Sequence, residues 1–475
     1  MKRTVSFLFI TLIFLIFVKQ SLPQSIDGAW KGSIGIMGQQ LDILVKFESG
    51  PDSIRGTIDI LQQNAENLKL IDIDFTSPKV YFVLPAAQGQ AVFDGELLGD
   101  SITGKFTQVG LEGTFRILKS TDGIIEDKHN NVEHVPYKQE EVTFMNGDIR
   151  LAGTLTMPYE HGKHPAVIMI TGSGPQNRDE EILGFKPFRI IADYLTRHGV
   201  SVLRYDDRGV GGSTGKSVSQ YTSADFASDV MEAVKYLKSR SDINPSQIGL
   251  IGHSEGGMIA PMVASKSKDI AFIVLMAGTG VKGIDILQEQ TKDIILANGG
   301  TDKDVKVNSE MLNLIYTALQ TDTGWDKVTE KLKEELLESY DKMTDEQKKG
   351  IKDKDEYIKN MTDRQIAESK SPWMKYFMDY DPAPALRKVK CPVLLLFGEL
   401  DMQVPPSQNR APMEEALKSG NCPEFSTVVF PKANHLFENA VTGSPTEYAA
   451  LPKEFTKGFL SSVTKWILGR VTVVK

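Results

Sequence analysis

The sequence predicts an α/β protein: a doubly wound sheet with a helical cap insertion, preceded by a small all-β, barrel-like domain. Three observations carry this prediction. From about residue 140 onward, short apolar runs suited to a buried parallel sheet alternate with helical patterns. Between about 281 and 380 that alternation gives way to charged, helix-forming sequence. Before residue 120, apolar residues instead alternate with polar ones at a period of two, as in strands with one face on a core and one in water.

Composition bounds the answer. The chain has 475 residues, 41% apolar and 24% charged, enough for two or three domains with a sizeable core. That balance excludes wholesale disorder and fibrous repeats, and two cysteines cannot build a disulfide scaffold. A net charge of -8 without a long basic run argues against a nucleic-acid partner. Residues 1–24 read as a secretory signal peptide: Met1-Lys2-Arg3 is a basic start, residues 7–18 are apolar apart from Thr11, and a polar segment with Pro23 follows. The apolar run is short for a membrane span. The expectation is an exported protein, periplasmic or extracellular, with no stable membrane insertion once the signal is cleaved; an uncleaved anchor is the alternative.

The β-rich domain is expected over 25–120, with strands at 41–47, 53–60, 70–75, 80–84, 91–96, 101–106 and 113–118. Turn residues such as Ser49-Gly50-Pro51-Asp52 and Gly99-Asp100 separate them. So many short strands suggest a small barrel or sandwich. Tyr81, Phe82, Phe93 and Phe106 read as its core, a ligand cavity being the alternative. Residues 121–139 are a polar linker, and 140–475 form the α/β domain. It opens with a hairpin around Asn146-Gly147. Sheet strands are expected at 166–170, 200–205, 248–251, 271–276 and 393–397, with a weaker one at 424–430. Helices are expected at 188–198, 223–238 and about 451–468. The insertion at about 281–380 falls between two strands on the ligand-binding side of such sheets, which suggests a lid.

The run Gly249-Leu250-Ile251-Gly252-His253-Ser254-Glu255-Gly256-Gly257 holds the pattern Gly-x-Ser-x-Gly between an apolar strand and a helix start. Serine is a weak nucleophile that must be exposed and held against a base. A sharp strand-to-helix turn does this, and its strained backbone needs small neighbours at Gly252 and Gly256. Such a turn requires an acid and then a histidine, each after a later strand. Asp401 follows the strand at 393–397, and His435 follows the weak one; it is the only histidine after the serine. Glu399 is the rival acid, but sits closer to its strand. In this reading Asp401 orients His435, and His435 takes the proton of Ser254. Two backbone N–H groups must face the developing oxyanion. One is expected from Glu255, the other from the loop Thr171-Gly172-Ser173-Gly174-Pro175, at Ser173 or, second, Gly172. The polar continuation, residues 176–180, reads as a rim beside the substrate or as ordinary surface.

Residues 171–176, 204–209, 252–257, 398–401 and 434–437 together resemble the α/β-hydrolase superfamily. The nearest likeness is to bacterial carboxylesterases with a β-rich N-terminal domain and a helical cap. The resemblance implies serine esterases acting on small-molecule, short-chain acyl esters without metal or organic cofactor. One departure is Thr171, where many relatives carry histidine. Prolyl-oligopeptidase-like enzymes share the Gly-x-Ser-x-Gly-Gly run, so a serine peptidase or amidase is the alternative. Glu255 or carboxylates of the lid would then receive a peptide N-terminus. A non-catalytic ligand-binding protein is the reading from another class.

Three weaker signals point elsewhere. Residues 210–217 end like a phosphate-binding loop but have Val210 where glycine is needed. His161 and His164 lack the spacing of a zinc site. Cys391 and Cys422 read equally as a disulfide or as two separate thiols.

Overall fold

The computed structural model describes residues 25–474 apart from 37–38, 51–53, 61–64, 86–89, 109–110, 121–134, 344–347, 349–350 and 352. The expected signal peptide and most of the expected linker lie outside the described residues. Nine antiparallel strands occupy Gly28 to Ser120. Strand β1 (Gly28–Ile36) pairs with β2 (Gln39–Ser49) on one side and with β9 (Leu111–Ser120) on the other. The sheet nearly closes: the Leu70 N–H donates to the Gly56 carbonyl at 2.9 Å, and the edge strand Ile71–Thr76 that follows comes against Ile54–Ile60, the strand next to the other edge. All seven expected runs are strands. Two more appear: β1, whose three glycines break the alternation, and the short polar Ala65–Lys69.

The barrel interior is aromatic. Phe82 stacks on Phe93 with centroids 4.4 Å apart, and Phe106 and Phe115 meet Phe93 edge-on at 5.1 and 5.2 Å. These rings pack on one another instead of lining a ligand cavity. Tyr81 alternates outward and is 37% exposed.

The second sheet has eight strands in the order β10-β11-β13-β12-β14-β15-β16-β17. The hairpin β10 (Tyr137–Asn146) and β11 (Ile149–Pro158) runs antiparallel to β13 (Ser201–Tyr205). From β13 onward, β12 (His164–Ile170), β14 (Ile243–His253), β15 (Phe272–Met276), β16 (Val393–Gly398) and β17 (Phe425–Phe430) are parallel. Both faces are covered, so alternate residues feed two cores. Ala166, Ile168 and Ile170 face α2 (Ser223–Ser239) and α3 (Glu255–Ala264). Val167 and Met169 face α1 (Pro187–Arg197) and the last helix. The α2 terminus is fixed by a capping box in which Thr222 and Asp225 satisfy each other's backbone N–H.

The last helix starts at Phe459, later than its apolar pattern suggests. Pro452 and the left-handed Gly458, φ +89°, keep the preceding residues out of it. Among the described residues between β15 and β16, the cap is formed by α4 (Gly283–Ala297), α5 (Asp302–Thr321), α6 (Trp325–Lys342), α7 (Lys354–Ser369) and α8 (Pro372–Asp379), and a short helix, Ala383–Leu386, leads back to the sheet. No helix among the described residues is long and apolar enough to cross a membrane.

Because Phe93 is the hub of the barrel's rings, Phe93→Ala is expected to cost about 3–5 kcal/mol. Urea unfolding followed by tryptophan fluorescence measures it, with Trp30 buried in the same core.

Candidate active site

Ser254 sits between β14 and α3 with φ 53° and ψ −113°, a conformation that costs an L-residue about 1–3 kcal/mol. The surroundings enforce it. The Ser254 N–H donates to the Met276 carbonyl at 2.8 Å, and the Gly257 N–H donates to the Ser254 carbonyl at 2.9 Å. A Cβ on Gly252 would stand 2.0 Å from the Gly256 carbonyl oxygen, and one on Gly256 would stand 2.1 Å from that of Ile170. No side chain fits at either position. The turn therefore lifts Ser254 to the floor of a cavity of about 400 Å³.

Asp401 and His435 arrive on the loops after β16 and β17. His435 Nδ1 lies 2.8 Å from Asp401 Oδ2, and Asp401 Oδ1 accepts the N–H groups of Gln403 and Val404 at 2.8 and 2.9 Å. Both carboxylate oxygens are thus fixed. Glu399 turns elsewhere and accepts the Lys432 N–H at 2.8 Å. His435 and Ser254 face the same cavity, and the Ser254 hydroxyl makes no hydrogen bond among the described residues.

The oxyanion candidates separate. The N–H groups of Glu255, at the positive end of α3, and of Ser173 have no acceptor among the described residues. Gly172, in contrast, is already committed: its N–H donates to Glu180 Oε1 at 2.6 Å. That corrects the expectation for Gly172. Thr171, in place of histidine, donates its hydroxyl to Asp207 at 2.6 Å.

The expected rim also divides. Gln176 and Asn177 line the cavity, while Arg178, 8% exposed, is held by Asp206, Glu141 and Thr154. Asp179 pairs with Arg204, and Glu180 is 1% exposed. The sequence reads Glu180 only as part of that rim and gives His253 no role. His253 Nδ1 lies 2.9 Å from Glu180 Oε1, and its Nε2 lies 3.0 Å from the His435 carbonyl oxygen. The one signal in the sequence is that His253 directly precedes Ser254 in the turn.

Other walls come from separate parts of the chain. Cap helix α4 contributes Gln290 and Ile294, and β2 of the barrel contributes Leu41. The glycine loop resembling a phosphate site is structural: the Gly212 N–H donates to Asp206 at 2.9 Å, and Val210 lines the cavity. Cys391 and Cys422 are free thiols, the Cys422 S–H donating to the Cys391 carbonyl at 3.5 Å. No cluster of three His, Cys, Asp or Glu able to hold a metal occurs among the described residues.

The Glu255 side chain points away from the cavity. It accepts the Ser223 hydroxyl at 2.6 Å and the Trp373 indole N–H of α8 at 3.0 Å on each oxygen. Burial pushes its carboxyl above the usual range, and these donors oppose the rise. Glu255, the residue after Ser254, thereby tethers the cap.

A family model described as the alpha/beta hydrolase fold matches residues 165–437. Esterase EstD of Thermotoga maritima is 28% identical over 344 residues, covering 71% of this chain and 69% of that protein. The polyketide transferase grgF of a Penicillium species is 29% identical over 143 residues, and there the chain spans 45% of the relative's length. Among solved structures, the Pyrococcus furiosus esterase Pf2001 aligns over 70% of this chain and 91% of its own, with a TM-score of 0.42 and 18% identity.

Trp373→Phe keeps the ring stacked on Phe377 but removes the donor to Glu255. It is expected to cost about 1.5–3 kcal/mol. Urea unfolding measures the loss, and limited proteolysis is expected to nick the 281–380 region faster than in the parent.

Proposed function

The chain belongs to the α/β-hydrolase fold family, and from that premise we propose that it is a serine carboxylesterase acting through Ser254, His435 and Asp401. The observation that carries this reading is the Asp401–His435 contact, held beside a strained serine that faces the same cavity. The relative from Thermotoga maritima, which bears the name esterase, supports it.

In the proposed reaction, His435 Nε2 accepts the hydroxyl proton as Ser254 Oγ attacks the ester carbonyl. The N–H groups of Ser173 and Glu255 donate to the oxyanion. The tetrahedral intermediate collapses, His435 returns the proton to the departing alcohol, and Ser254 is left acylated. Water then attacks the acyl-enzyme with His435 as base, and the acid leaves. Asp401 holds the imidazole in the tautomer this requires. A cavity of about 400 Å³ suits short acyl groups. Leu41, carried by the barrel, forms part of its wall and limits the substrate's bulk. The basic start and apolar run of residues 1–24 support an exported protein.

A peptidase finds less here. Glu255 is buried against Ser223 and Trp373, and the wall carboxylates Glu180 and Glu181 are engaged by Gly172 and Lys186. None is free to receive a substrate ammonium group.

The test is a comparison of p-nitrophenyl acetate, butyrate and octanoate with aminoacyl p-nitroanilides on the purified mature chain. Ester turnover is expected to dominate. Asp401→Asn should lower kcat about ten-thousand-fold, and Ser254→Ala about a million-fold. Comparable anilide turnover would move the peptidase to first place. If no ester turns over and a fluorophosphonate fails to label Ser254, the protein is not a serine hydrolase. A second variant, Leu41→Trp, is expected to lower kcat/KM for octanoate about tenfold more than for acetate. An unchanged chain-length profile would remove the barrel from the pocket.

A further inference from the structure

Two buried histidines, His253 and His435, lie side by side with ring centroids 4.6 Å apart, and the reaction above uses only one of them. We infer that His253 is a buried imidazolium, held by Glu180 and the His435 carbonyl, and that it is a positioning residue which sets a positive charge beside the His435 ring and ties the oxyanion loop to the base loop. The inference rests on the proposed role of His435 as base.

Hydrogen-bond chemistry decides the protonation state. A neutral imidazole has one N–H and one acceptor nitrogen. Here both ring nitrogens face acceptors: Nδ1 meets a carboxylate oxygen at 2.9 Å, and Nε2 meets a backbone carbonyl at 3.0 Å. With Glu180 ionised, only the doubly protonated ring satisfies both. The competing arrangement is a neutral pair, in which Glu180 Oε1 donates its proton to Nδ1 and the Nε2–H donates to the carbonyl. Oε1 also accepts the Gly172 N–H at 2.6 Å, and an ionised oxygen is a stronger acceptor for it than a protonated one. That contact favours the charged pair.

The electrostatics agree. Burial opposes charge on His253, which is 3% exposed, but the Glu180 carboxylate outweighs it and raises the imidazole above its ordinary value. Around the two rings, the oxyanion loop presents Glu180 and the acid loop presents Asp401. On the base loop itself Glu438 turns aside to Asn434 and Lys453, and Tyr448 hydrogen-bonds Gln403. From behind the turn, Asp207 is occupied by Thr171 and Gln176, and Glu255 by Ser223 and Trp373. His435 therefore stands between one anion, Asp401, and one cation, His253.

The same contacts are mechanical. One oxygen, Glu180 Oε1, fixes both Gly172 and His253, and His253 fixes the carbonyl of His435. The N–H of Ser173, next to Gly172, and the ring of His435 are thus set by one buried charge. Glu180 holds a left-handed backbone, φ 50°, to reach it.

The experiment is a histidine titration by NMR on the full mature chain with isotope-labelled histidine. Its seven histidines are few enough to assign by substitution. The expected result has three parts. Wild-type His253 carries two protons at neutral pH. In His253→Gln the His435 titration moves up by about one pH unit. In Glu180→Gln, which removes both charges of the pair, it moves up by less. The acidic limb of kcat/KM should follow the same order. A neutral His253 in the wild type overturns the inference without any variant having to fold. An unmoved His435 titration in a folded His253→Gln also overturns it. Both readouts are independent of turnover, so a chain that hydrolyses no ester defeats the esterase reading alone.

Discussion

Everything at this site hangs on a backbone that no ordinary residue adopts willingly. Ser254 is held at positive φ because Gly252, Gly256 and the end of β12 are packed too closely for any Cβ to separate them. Dispersion and hydrogen bonding across that contact offset the local strain of about 1–3 kcal/mol. The gain is geometric. The serine stands clear of the sheet, the first N–H groups of α3 point at the same spot, and the parallel strands deliver every other functional loop to that edge.

The loops are then locked by polar contacts of different kinds. Asp401 is pinned by two backbone donors before it meets His435, which gives the imidazole a fixed direction. Glu255 reaches backward to Ser223 and Trp373, so the cap is anchored to the residue that follows Ser254. The cavity itself draws on three modules, with Leu41 from the barrel and Ile294 from the cap facing the hydrolase loops. Gly35 of β1 comes close enough to Leu183 that a Cβ there would lie 3.6 Å from it, which places the barrel hairpin against the loop carrying Glu180.

Much of this was legible in the sequence, for identifiable reasons. Strands β12 to β16 are buried on both faces and so read as apolar runs, and a glycine-flanked serine after one of them signals its turn. Asp401 and His435 follow from chain order. What sequence did not reveal depends on tertiary contact. Glu180 looked like a surface rim residue, because nothing local tells that its carboxylate is swallowed between Gly172 and His253. For the same reason Gly172 kept its place among oxyanion donors. Strand β1 was hidden by glycines that thin its alternation, and the start of the last helix by Pro452 and Gly458, whose breaking effect outweighed the apolar pattern.

The central claim is that Ser254 forms a covalent acyl intermediate. The most direct measurement is rapid mixing of the mature chain with p-nitrophenyl acetate, an acid quench, and peptide mass mapping at a series of times. The account predicts an acetyl adduct on the peptide containing Ser254, rising together with the first release of nitrophenol and decaying as hydrolysis completes. Sustained ester turnover with the adduct on another residue would contradict it.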